Sequence, residues 1–198
     1  YRDIAFASMG EGLGVNVLRG KNYRVGFAIG YDLGRQVSDY PSHLRGLGDI
    51  GAAPTFKLFA DYAIAKSFPA VLRVDIRGII GGADGVTGDL SAYMPLPGSS
   101  RKLIMFAGPS LSFAGAGYMQ NVFGLNPTQA RLSGFQPFST HGGPKSLGFG
   151  FSATWFVAEH WLFNTDMAVE RLLGGAATSP ITQEKVQGTV SVSFAYRW

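Results

Sequence analysis

Lys57 and Asp61, then Arg73, Asp75 and Arg77, then Asp89 are spaced by two residues, or multiples of two, within three consecutive segments of the chain. In an extended backbone, residues so spaced line one face. Neighbouring strands lie about 4.8 Å apart, so opposite charges on adjacent segments can pair across the ladder. Two kinds of chemistry follow. The set can be a salt-bridge network that fills a narrow interior, or a charge-selective lining of a channel. The signs are mixed, which favours the first. Little else in the sequence can do chemistry. The three histidines, His43, His141 and His160, are far apart and read as solvated loop residues. Metal binding needs ligands that converge at about 2 Å. There is no cysteine, hence no thiolate site. No Gly-x-Ser-x-Gly elbow occurs. Gly10–Gly14, GEGLG, lacks the strand–turn–helix setting of a dinucleotide loop. The expectation is a protein that is not an enzyme, with no catalytic residues, no metal and no cofactor.

The elements that must position those charges have period two. In the last segment, Val186 to Trp198, one face carries Gly188, Val190, Val192, Phe194, Tyr196 and Trp198, and the other Thr189, Ser191, Ser193, Ala195 and Arg197. Similar alternation starts at Tyr23, Phe56, Leu72, Val86, Leu103, Leu147 and Trp161. Ile104 and Phe106 interrupt the fifth of these. The first segment changes phase between Ile4, Phe6 and Leu13, Val15, Val17. A β-bulge near Gly10-Glu11-Gly12 would absorb the shift. The count is nine strands.

The connections alternate in length. Short ones fall at Arg19 to Asn22, Ala65 to Ser67, Pro95 to Ser100 and Ala158 to His160. Long ones fall at Gly34 to Gly48, Gly117 to Pro144 and Gly174 to Lys185, and Gly81 to Gly85 is short where a long one is due. Short turns at one end and long loops at the other describe an all-β, antiparallel, up-and-down transmembrane barrel. The whole chain, 1–198, reads as one barrel domain. Bacterial single-chain barrels have even strand numbers, so nine strands imply an odd number before Tyr1 and ten to twelve in the complete protein.

Composition decides which face is outside. Charged residues make up 15% of the chain and there are 28 glycines, whereas a soluble domain carries roughly 25% charge. The polar face is rich in Gly, Ala and Ser, too poor in charge for a water-facing exterior. Tyr23, Tyr31, Tyr62, Trp155, Trp161, Tyr196 and Trp198 lie near strand ends on the apolar face, as interfacial girdles do. The polar face, with its six charges, therefore reads as the lumen. A soluble, ligand-binding barrel is the weaker alternative. The net charge of +4 is scattered, with no basic run for nucleic acid.

Within the longest connection, Asn126-Pro127 followed by TQARLSG reads as a short helix. Asn126 is the N-cap, Pro127 stands at N1 and Gly134 lies near the C-cap. Phe123, Leu125, Leu132, Phe135 and Phe138 are many apolar groups for a solvent loop. They must bury against the barrel mouth as a lid, or against a partner or lipopolysaccharide.

The chain resembles the MipA/OmpV family, the MltA-interacting outer-membrane proteins. The resemblance covers essentially all 198 residues. GYDLGR at Gly30–Arg35, LRGLGDI at Leu44–Ile50, GPSLSFA at Gly108–Ala114, YMQNVFGLNPTQARLSG at Tyr118–Gly134 and RLLGGAATSPI at Arg171–Ile181 carry it, together with the aromatic-ended last strand. Members usually end in Phe, where this chain has Trp198. The resemblance implies a signal peptide and further strands before the position of Tyr1. It also implies a Gram-negative outer-membrane location, with lipid and lipopolysaccharide as surroundings. Some members are described as scaffolds linking a lytic transglycosylase to a murein synthase. The expected function is thus a scaffold that binds cell-envelope proteins, and the alternative is a narrow solute channel with a charged lumen. Tyr196 and Trp198 are the expected signal for barrel assembly.

Overall fold

The computed structural model describes residues 5–8, 12–64 and 69–196. Ten strands form one antiparallel sheet in which every strand pairs with its neighbour in sequence. They are β1 (Ala5–Ser8), β2 (Gly12–Arg19), β3 (Tyr23–Asp32), β4 (Ala53–Ala63), β5 (Val71–Ile79), β6 (Gly85–Pro95), β7 (Leu103–Ala114), β8 (Gly143–Phe156), β9 (Trp161–Leu172) and β10 (Val186–Tyr196). The sheet is a curled, up-and-down barrel wall. Its order follows from the connections, because a turn of a few residues can only join antiparallel neighbours. Among the described residues no helix is long and apolar enough to cross a membrane, which has no bearing on crossing by strands.

The strand count corrects the sequence reading from nine to ten. The first segment is a hairpin, β1 and β2, with Ser8 opposite Gly12. Gly10 and Glu11, where a bulge was expected, lie outside the described residues. Phe6 pairs with Gly14 and packs on Phe59, so it faces inward while Leu13 is exposed; a separate bulge lies between Asn16 and Leu18, so that Val17 and Leu18 are both exposed. With ten strands the count is even, and the parity argument for a strand before Tyr1 drops out.

Alternation of burial, clearest along β4, settles which face is which. In β4, Thr55, Lys57 and Phe59 are buried while Phe56, Leu58 and Ala60 are exposed. Leu58 is 64% exposed and Lys57 only 6%. A water-soluble fold does the reverse. Tyr23, Tyr31, Tyr62, Trp155 and Trp161 are exposed on the outer face. Ile104 and Phe106, which broke the pattern of β7, are half-buried, and Phe106 lines the lumen.

The four α-helices among the described residues lie at the long-loop end. The β3–β4 connection holds α1 (Pro41–Leu44), the β7–β8 connection holds α2 (Ala116–Phe123) and α3 (Pro127–Ser133), and the β9–β10 connection holds α4 (Gly174–Thr178). Helix α3 begins and ends where the sequence placed it. Asn126 Oδ1 accepts from the backbone N–H groups of Thr128 and Gln129, Pro127 opens the helix, and Gly134 takes the left-handed conformation at φ 82°. Helix α2 has no such cap signature. It starts after Gly115 with no side-chain cap, and contacts from other elements hold it.

Candidate functional site

The inner face of the curled sheet lines a half-open cavity of about 880 Å³. One wall, from β3 to β6, carries Arg24, Lys57, Asp61, Arg73, Asp75, Arg77 and Asp89. The facing wall, from β7 to β10, carries Ser110, Ser152, Asn164, Asp166, Ser191 and Ser193 among others. All six charges expected from the sequence therefore line one cavity. The register fixes how they meet. Arg24 stands opposite Asp61, and Asp61 opposite Arg73. Arg24 Nε donates to Asp61 Oδ2 at 2.8 Å, and Arg73 Nε lies 3.7 Å from Asp61 Oδ1 and 3.2 Å from Asp75 Oδ2. Asp61 is thus shared by two guanidinium groups.

The pairing is not uniformly complementary. Lys57 faces Arg77 and Asp75 faces Asp89, like charge against like. Relief comes diagonally and from hydroxyls. Asp75 takes Arg73 from its own strand, and Asp89 accepts from Ser112 Oγ on β7. On the far wall Ser146 Oγ donates to Glu170 Oε2 at 2.5 Å.

Two members of this constellation escaped the sequence reading. Arg24 alternates with the apolar residues of β3, but its partner is evident only from the β3–β4 register. Phe59 looks like an apolar intruder on a polar face. It is buried, and both Arg24 and Arg73 place their guanidinium carbons 5.3 Å from its ring centroid. Phe6 meets it edge-on at 5.7 Å. Phe59 attracts both of the cations that share Asp61 through its π system.

The long-loop mouth is crossed by α2. On one side Tyr118 and Val122 pack against Ala53, Ile79 and Ala83 at the rims of β4 and β5. On the other, Met119 is buried with Ala114 of β7, Leu172 of β9 and Ala176 of α4, and Phe123 packs beside it. The helix is a crossbar between opposite walls. Polar ties hold it there: Arg35 Nη1 donates to Val122 O at 3.3 Å, and Ser179 Oγ donates to Phe123 O at 2.5 Å. Burial, first, and then the nearby Asp32 carboxylate push the Tyr118 phenol above its ordinary pKa.

A second cluster joins all the long loops. Leu44, Leu47 and Leu125 are buried with Val37, Phe135, Phe138 and Ile181 against them. Of the five apolar loop residues singled out in the sequence, Phe123, Leu125, Phe135 and Phe138 pack inside the cap. Leu132 does not, and is 64% exposed, since it lies on the outer side of α3. His43 is not the solvated residue expected. It is half-buried, its Nε2 lies 2.8 Å from Ile181 O, and its ring meets Phe135 edge-on. Tyr196, in β10, stands opposite Trp161, and Trp198 lies outside the described residues.

The model of one protein family, described as MltA-interacting protein MipA, matches residues 1–198, the full length of the chain. No curated protein and no solved structure matches it.

Proposed function

Because the chain belongs to the MltA-interacting protein MipA family, we propose that it is an outer-membrane barrel of Gram-negative bacteria that works as a scaffold, holding a cell-envelope protein of the MltA kind. The observation that carries this reading is the α2 crossbar. A solute path along the barrel axis would have to pass a helix pinned between opposite walls and a cap with its own apolar core. The lumen beneath it carries cross-linked charges of both signs, which stiffens a wall rather than selects an ion. The exposed apolar outer face takes membrane lipid and lipopolysaccharide as its surroundings. What remains for function is binding at the barrel's ends. No constellation for catalysis lies among the lumen residues.

The channel reading is kept alive by one observation, the cavity of about 880 Å³ with its charged wall. Two measurements separate the readings. Crosslinking of intact envelopes followed by mass spectrometry is expected to recover a murein-degrading enzyme with the barrel. The purified protein in a planar bilayer is expected to give no stepwise current. Steady ion-selective steps, with no enzyme recovered, would replace the scaffold by the channel.

A further inference from the structure

Among the described residues of the connections, positive charge is unevenly distributed between the two ends of the barrel. At the long-loop end the connections balance: Arg35, Arg45, Arg131 and Lys185 stand against Asp39, Asp49, Asp84 and Glu184. At the short-turn end they do not. Arg19 and Lys21 flank the β2–β3 turn, and Arg101 and Lys102 occupy the β6–β7 turn. All four are exposed, and Glu159 is the only carboxylate among the described residues of these turns.

These cations sit just beyond a belt of outward aromatics. Tyr23 begins β3 two residues after Lys21 and stands opposite Tyr62. Leu103, which follows Lys102, stands opposite Trp155. Trp161 stacks on Phe194 with centroids 4.8 Å apart. Amphipathic aromatics settle at the headgroup level of a bilayer. Long cationic side chains one step further out reach the phosphates while their methylenes stay against apolar surface. An anionic lipid surface draws each such Lys or Arg by about fivefold.

We propose that the short-turn rim is a binding site for the phosphates of anionic phospholipids, with Arg19 and Lys21 as one cluster and Arg101 and Lys102 as another. The aromatic belt sets the depth, and the four cations select the headgroup. The site rests on the reading of the chain as a membrane barrel, and its test keeps the two apart.

The intact chain carrying Trp198→Phe is refolded into vesicles of phosphatidylcholine with a minor share of phosphatidylglycerol. Emission then comes from Trp155 and Trp161, at the rim. Brominated phosphatidylcholine tests insertion, and brominated phosphatidylglycerol tests enrichment. The expected result is quenching by phosphatidylglycerol about twofold or more above its mole fraction. It should fall to the mole fraction when Arg19, Lys21, Arg101 and Lys102 are all changed to Gln, and in about 1 M salt, where the screening length drops to about 3 Å. The salt arm needs no variant, so it holds even if the fourfold change blocks folding. Quenching by phosphatidylcholine without phosphatidylglycerol enrichment overturns the lipid site. If neither lipid quenches, the membrane barrel itself fails. Binding of poly-glutamate that requires the four cations, again without lipid enrichment, would assign the rim to an acidic protein and overturn the proposal as well.

Discussion

Arg24 and Asp61, 37 residues apart in sequence, face each other across the β3–β4 ladder, and the Arg24 Nε–H donates to Asp61 Oδ2 at 2.8 Å. Arg73 approaches the other carboxylate oxygen from β5. One carboxylate therefore ties three consecutive strands together inside the lumen.

Changing Asp61 to Asn should remove this tie and leave two facing guanidinium groups with one charge fewer between them. A hydrogen bond to a charged group contributes about 1.5–3 kcal/mol, and Arg24 is partly exposed, so a loss of about 2 kcal/mol is expected. Urea unfolding of the detergent- or bilayer-held barrel, followed by tryptophan emission, measures it. Arg24→Gln in the Asp61→Asn background should add little, because its partner is already gone. Full additivity of the two changes would show that they do not act through each other.

Tyr118 gives the cap an alkaline limit. Its phenol is raised above the ordinary value of about 10, chiefly by burial. Below that value Tyr118 is neutral whether the cap is closed or open, and the contribution is fully present. As pH rises between the ordinary and the raised value, only the opened form ionises, so closure loses stability. Limited proteolysis of the β7–β8 connection should therefore speed up above about pH 10. Tyr118→Phe should shift that onset upward. An onset unchanged by the substitution would place the titrating group elsewhere.

Helix α3 depends on one side chain for its start. Asn126 Oδ1 accepts two backbone bonds, and Gln129 Oε1 accepts from the Asn126 N–H at 3.1 Å in return. Gln129 Nε2 also donates to Leu47 O at 2.6 Å, so the cap of the helix and the joint between two loops share a residue. Asn126→Ala should cost about 1 kcal/mol, read as faster hydrogen exchange over residues 127–133 while the strands stay protected. Gln129→Ala should loosen the 44–47 segment as well. Exchange confined to α3 in that second variant would refute the joint.

Much of this architecture is legible in the residues, because a strand with an apolar outer face and a polar face toward the lumen must alternate. Lys57, Phe56 and Leu58 could be assigned to faces without any coordinates. The α3 cap was equally legible, since Asn126, Pro127 and Gly134 each act locally. What was not legible needs partners far away in sequence. Arg24 belongs to the charge network only because of a particular β3–β4 register. The α2 crossbar has no cap signature and is fixed by Ala53, Ile79, Leu172 and Ala176 from four separate elements. The β1–β2 pair was read as one strand because the glycines of Gly10-Glu11-Gly12 suit a bulge within a single strand as well as a break between two.

Gly26 offers a test of how closely the lumen is packed. It faces Phe59 across the β3–β4 ladder. A Cβ added at Gly26 would come within 2.5 Å of the Phe59 Cζ and 2.3 Å of the Val15 carbonyl oxygen. The ring can lie over the backbone only because that Cβ is missing, and this placement keeps Arg24 and Arg73 both 5.3 Å from its centroid. In Gly26→Ala the carbonyl cannot yield without disturbing the β2–β3 ladder, so the ring must move and carry the guanidinium groups off Asp61. Overpacking of this kind costs about 1–3 kcal/mol. Phe59→Leu, with its smaller side chain, should give back part of that loss when combined with Gly26→Ala, although alone it removes the cation–π contacts and destabilises the barrel. A double-mutant cycle on unfolding free energy measures the coupling. Simple addition of the two losses would mean that Gly26 matters only through Val15, and that the position of the Phe59 ring is set by something other than the space above the glycine.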